Sequence, residues 1–145
     1  MLSSKEKKNS MIIKLNKNLL NLLIKETIRK SPVEACGILF GDVDENKAAV
    51  KRIILTRNAL NSPHEFQISA EELIEAISEA ETEGIKLIGF FHSHKNISKP
   101  SRIDTLYMKL WPEKIWLIIS SIDYTVRAYR IINNKLHEVH VEISD

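Results

Sequence analysis

At 145 residues the chain has the length of one compact domain, and 43% apolar with 28% charged residues excludes a disordered protein. Its 21 basic and 19 acidic residues leave a formal charge of +2, without the clustered excess that a nucleic-acid footprint needs. One cysteine, Cys36, excludes an intrachain disulfide, and no stretch reaches the roughly 18 to 20 apolar residues of a membrane span. Residues 1–10 are polar, carry Lys5, Lys7 and Lys8, and lack the apolar run of a signal peptide. They read as a flexible basic tail before a single domain over 11–145. A cytoplasmic protein with neither nucleic-acid nor membrane partners is the expectation.

Met11 to Leu15 reads as a short strand. Over residues 17–29, Leu19, Leu20, Leu23, Ile24 and Ile28 fall on one stripe at helical spacing, and Ser31-Pro32 stops that helix. Ala35 to Phe40 is a short apolar run suited to a buried strand, and Ala48 to Thr56 pairs with it across the polar turn near Asp44 to Lys47. Ser69, followed three residues later by Glu72, predicts a capping box. The helix behind it places Leu73, Ala76, Ile77 and Ala80 on its buried face and ends at Gly84.

Ile85 to Phe91 is almost continuously apolar, as in a strand covered on both faces, and runs into His92-Ser93-His94. A helix over 102–110 precedes Pro112, and strands follow near Ile115 to Ser120, Val126 to Ile132 and Leu136 to Ile143, the last two joined at Asn133-Asn134. The pattern predicts an α/β domain, a mixed and largely antiparallel β-sheet flanked by helices.

His92 and His94 are two apart on an extended chain, so their imidazoles leave the strand end on one side. Six residues intervene after His94, and then comes Ser101-Arg102-Ile103-Asp104. Ser101 behind Pro100 reads as a helix N-cap, and Asp104 as the far half of a capping box. Both also occupy the helical face nearest the histidines, so capping and ligation are compatible. Two imidazoles and a carboxylate leave one position of a tetrahedral zinc open, the pattern of a catalytic site. A bound zinc brings the pKa of water from 15.7 to about 7. Glu34, just before the strand at Ala35, is the candidate proton carrier, although position alone better describes a solvent-exposed acid at a strand start.

Glu34-Ala35-Cys36-Gly37, Phe91-His92-Ser93-His94 and Pro100-Ser101-Arg102-Ile103-Asp104 together resemble the JAMM (MPN-plus) metalloprotease family. The resemblance spans Met11 to the C-terminus and implies an MPN, cytidine-deaminase-like fold. It implies one zinc on His92, His94 and Asp104, Glu34 as general acid and base, and Ser101 as donor to the oxyanion. The implied reaction is hydrolysis after the C-terminal glycine of ubiquitin-like modifiers or sulfur-carrier proteins, whose conjugates would be the partners. The alternative is a catalytically silent scaffold subunit; such relatives lack the histidines or the aspartate. The chain departs from the family pattern in a His94–Ser101 loop shorter by one residue and in Lys95, where the family has proline. Only ten residues separate Asp104 from Ile115, which resembles the minimal prokaryotic and archaeal form. The substrate's tail is expected to lie extended beside a free strand edge.

Other reactive side chains fit blander readings. Cys36 in an apolar strand is a small buried hydrophobe. His137 and His140 face opposite sides of their strand, His64 belongs to a surface loop, and Trp111 and Trp116 belong to the core or an interface.

Overall fold

The computed structural model describes residues 10–145, so the expected basic tail lies, apart from Ser10, outside the described residues. Among the described residues, seven strands and three helices follow in chain order: β1 (Ile12–Asn16), α1 (Lys17–Lys30), β2 (Cys36–Val43), β3 (Lys47–Thr56), α2 (Ala70–Thr82), β4 (Lys86–His94), α3 (Arg102–Met108), β5 (Ile115–Ser120), β6 (Val126–Ile132) and β7 (Lys135–Ser144). Local chemistry sets the boundaries. Asn16 caps α1 by accepting from Leu19 N at 2.8 Å. Asp44 Oδ1 accepts from Asn46 N and Lys47 N and so closes the β2–β3 turn. Gly84, at φ 71°, follows α2, and Asn133 and Asn134, at φ 51° and 64°, make the β6–β7 turn.

The strands run β1-β3-β2-β4-β5-β6-β7 and close into a barrel. Closure depends on β1, which pairs in parallel with both β3 and β7. Periodicity in a single strand carries no information about such a pairing, so the sequence pointed to a mixed sheet and not to its closure. Closure also revises the expectation of a free strand edge. β1 covers β3 only from Lys47 to Ala49, so among the described residues the remainder of β3 is an uncovered edge.

β2, β4 and β5 are buried on both faces, as their continuous apolar runs require. Leu39, Phe91, Leu117 and Ile119 point into a core roofed by α1 through Leu23. Ile38, Phe90, Trp116 and Ile118 point the other way, against Ala76 and Ala80 of α2 and Met108 of α3. Each such side chain contributes on the order of 1.5–3 kcal/mol by leaving water. The α1 stripe differs at its end, where Ile28 is 56% exposed while Glu26 and Thr27 are buried. Thr27 Oγ1 donates to Leu23 O and Glu26 accepts from Arg29 Nε, so both polar groups are satisfied inside. Among the described residues no helix is long and apolar enough to cross a membrane.

β4 and β5 are parallel and joined through α3, making a βαβ unit. The carboxyl ends of parallel strands, where loops can gather side chains without disturbing the sheet, are the usual seat of a site in such units.

Candidate metal centre

His92 and His94 are the last two residues on one face of β4, and alternation turns both rings toward Asp104 of α3. Their Nε2 atoms lie 3.0 and 2.8 Å from the same oxygen, Asp104 Oδ2. Asp104 reaches that point because Ser101 fixes the first turn of α3. Ser101 Oγ accepts from Asp104 N at 3.0 Å, and Ser101 N donates to Asp104 Oδ2 at 2.9 Å. The carboxylate that completes the cap also faces both imidazoles, so the two readings of this segment, cap and ligand, are compatible in one group. The shortened loop does not displace it. Ser121 N donates to His94 O, Ser120 Oγ to Asn96 O, and Ser98 Oγ meets Thr125 Oγ1, so the loop is pinned along the end of β5.

The donor set fits a divalent cation. One atom each from His92, His94 and Asp104 lies within 4.8 Å of the other two. Ligands at about 2.0–2.1 Å from zinc stand roughly 3.3 Å apart around a tetrahedron, so a cage at 2.8–3.0 Å needs only a slight opening. Charge states suit it as well. Full burial holds His92 below its ordinary value, against the pull of Asp104, and so leaves a neutral ring. Burial tends to raise the Asp104 carboxyl, but hydrogen bonds from His92 and His94 outweigh it and hold the group well below the carboxylate range. At half-buried His94, burial lowers the pKa and is outweighed by the hydrogen bond and charge of Asp104, so the net direction is up.

Glu34 stands across the β2–β4 ladder. The register Cys36↔His92 sets Glu34 opposite His94 on the same face. Only 4% of Glu34 is exposed, and its Oε1 is buried with no hydrogen-bond partner, a costly state for an ionised group. Burial pushes its pKa up to about 8, against the attraction of His94 and with help from Asp104 and Glu65. A cavity of about 60 Å³ beside Glu34 and His94 is also lined by Lys95, Ser31 and Ser121. An acid poised near neutrality, three convergent ligand atoms and an adjoining space are the parts of metal-assisted hydrolysis.

Residues 16–132 match the family described as prokaryotic homologs of the JAB domain. The chain belongs to that family. This agrees with the JAMM (MPN-plus) resemblance of the three motifs. Within the JAB relatives, the chain is 40% identical over 121 residues to a desampylase of Pyrococcus furiosus, covering 83% of each protein. It is 26% identical over 136 residues to the CysO-cysteine peptidase of Mycobacterium tuberculosis, covering 91% of each. A solution structure from Desulfitobacterium hafniense, 25% identical, superposes with a TM-score of 0.84 over 93% of this chain and 94% of that one.

This JAB domain also uses residues that spacing alone did not single out. Ser93, on the far face of β4, accepts from Ala35 N at 2.8 Å and returns a bond from its own N to Ala35 O, fixing the chain beside Glu34. Asn58 Nδ2 donates to the carbonyls of Glu34, Ser62 and Glu65 and thereby shapes the loop after β3. That loop carries Phe66, whose ring stacks on His92 at 4.5 Å between centroids. One aromatic residue in a polar loop was the only trace of this in the sequence. Cys36 is buried, and burial pushes its thiol up to about 11, which suits the hydrophobe reading and not a nucleophile. Trp116 is in the core and Trp111 packs edge-on to Phe90, while His64 is exposed.

Proposed function

We propose that the chain is a zinc-dependent isopeptidase, a hydrolase acting after the C-terminal glycine of ubiquitin-like modifiers or sulfur-carrier proteins. The observation that carries the proposal is Glu34, a buried carboxyl with a pKa pushed up to about 8 beside the His92, His94 and Asp104 cluster. The relatives named desampylase and CysO-cysteine peptidase support the substrate class. A bound zinc supplies Lewis acidity and a water acidified to near neutral pH. His92, His94 and Asp104 would hold it. Glu34 takes the proton of the attacking water and hands it to the leaving amine, a double duty that suits a pKa near the working pH. Ser101 Oγ uses a lone pair for Asp104 N, so its hydroxyl hydrogen stays free to donate to the oxyanion of the attacked carbonyl. A metal-free scaffold has no use for this donor set.

The test is zinc per chain in wild type and Asp104→Ala, together with cleavage of a modifier–lysine isopeptide conjugate. Near-stoichiometric zinc lost in Asp104→Ala, with cleavage abolished by Glu34→Gln while zinc is retained, is the expected result. A wild type that takes up no zinc when it is supplied, or a Glu34→Gln variant that cleaves normally, overturns the assignment.

A further inference from the structure

Helix α3 has an apolar stripe that faces the wrong way for a core. Ile103, Leu106 and Tyr107 on α3, with Leu110 in the turn just after it, follow the i, i+3, i+4, i+7 spacing by which a helix normally buries itself. Here they are 41%, 59%, 44% and 72% exposed, while Asp104 and Met108 hold the inner face. Exposed apolar residues scattered singly, such as Ile74 on α2, need no explanation, whereas a contiguous stripe marks a surface that is covered in use.

The stripe adjoins the candidate metal centre in two places. Ile103 immediately precedes Asp104. Tyr107 also lines an apolar groove of about 140 Å³ with Phe66, Leu73, Trp111 and Trp116, and Phe66 is the ring stacked on His92. Cations surround it. Lys95 and Lys99 precede α3, Arg102 opens it and Lys109 ends it, and none of the four enters an ion pair among the described residues. A second copy docking by this face would set these cations against themselves. An acidic partner with an apolar centre would pair with both features.

We propose that this outer face of α3 docks the folded body of the protein modifier, an acidic surface with an apolar centre, so that the modifier's tail passes directly to the metal centre. The inference rests on the isopeptidase reading. It assigns substrate affinity to Leu106 and Leu110, flanked by Lys99 and Lys109, none of which touches the reacting atoms. Such a surface lowers KM for a whole modifier and leaves a tail peptide indifferent to it.

The experiment compares two substrates on the zinc-loaded chain: a full-length archaeal ubiquitin-like modifier joined through its terminal glycine to lysine, and the short C-terminal tail of that modifier joined likewise. Leu106→Asp with Leu110→Asp should raise KM for the full-length conjugate by about tenfold or more, with kcat/KM on the tail peptide unchanged. Lys99→Glu with Lys109→Glu should weaken the same substrate most at low salt. Equal effects on both substrates, or none on either, overturn the docking surface. A wild-type dimer in sedimentation that Leu106→Asp converts to monomer also overturns it, because the stripe is then a subunit contact. If wild type cleaves neither substrate, the isopeptidase reading fails separately. Calorimetric binding of the free modifier then decides the surface: binding lost in Leu106→Asp/Leu110→Asp sustains it, and no binding, or binding unchanged in the variant, overturns it.

Discussion

Helices α2 and α3 open on the same four-residue device, Ser69-x-x-Glu72 and Ser101-x-x-Asp104, and use it differently. In α2, Ser69 Oγ accepts from Glu72 N, but the glutamate does not complete the expected box. Its Oε2 turns outward to accept from Arg57 N at 3.2 Å. In α3 both reciprocal bonds form, and the carboxylate that closes the box is buried and faces two imidazoles. The apolar faces are reversed as well, inward through Ala76 and Ala80 on α2, outward through Leu106 on α3 and Leu110 just past its end. A cap is a local bargain between side chain and backbone. Whether its acid becomes a ligand depends on what the fold sets opposite it.

That contrast can be broken by experiment, from its strongest effect downward. Asp104→Ala should abolish zinc binding and turnover together, whereas Glu72→Ala keeps both; equal zinc occupancy in the two variants, read by elemental analysis, would refute the distinction. Ser101→Ala should lower kcat by about 10²- to 10³-fold through the lost oxyanion donor, while Ser69→Ala leaves kcat unchanged. Both serine variants should lose on the order of 1 kcal/mol of stability as lost caps, measured by denaturant unfolding.

A pH experiment sharpens the account of the opposing strand. In metal-free protein the folded state holds the Glu34 proton up to about 8, against an ordinary value of 4.5. That contribution to stability is therefore complete below about 4.5 and fades as pH rises through about 8. Glu34→Gln should flatten the decline, so Tm curves in chelator converge at low pH and separate in favour of the variant at high pH. Parallel curves would show that Glu34 is not held protonated. The smallest effect belongs to Cys36. Its thiol, buried and raised to about 11, should resist iodoacetamide at pH 8 in the folded chain and react after denaturation.

By itself the sequence determined the elements, because each is a local pattern: the alternating and continuous apolar runs, the Asn133-Asn134 turn, the caps at Ser69 and Ser101. It also singled out His92, His94 and Asp104 as candidates, because two-residue and three-residue spacings fix which side chains share a face, and it pointed to Glu34 and Ser101 through the resemblance of the three motifs. The tertiary structure alone brought Glu34 across from His94, through a β2–β4 register between segments far apart in the chain. It alone closed the barrel through β1, stacked Phe66 on His92 and turned the stripe of α3 to solvent. Helical spacing says which residues lie together. Which face is buried is decided by what else must be inside, and in α3 that is Asp104.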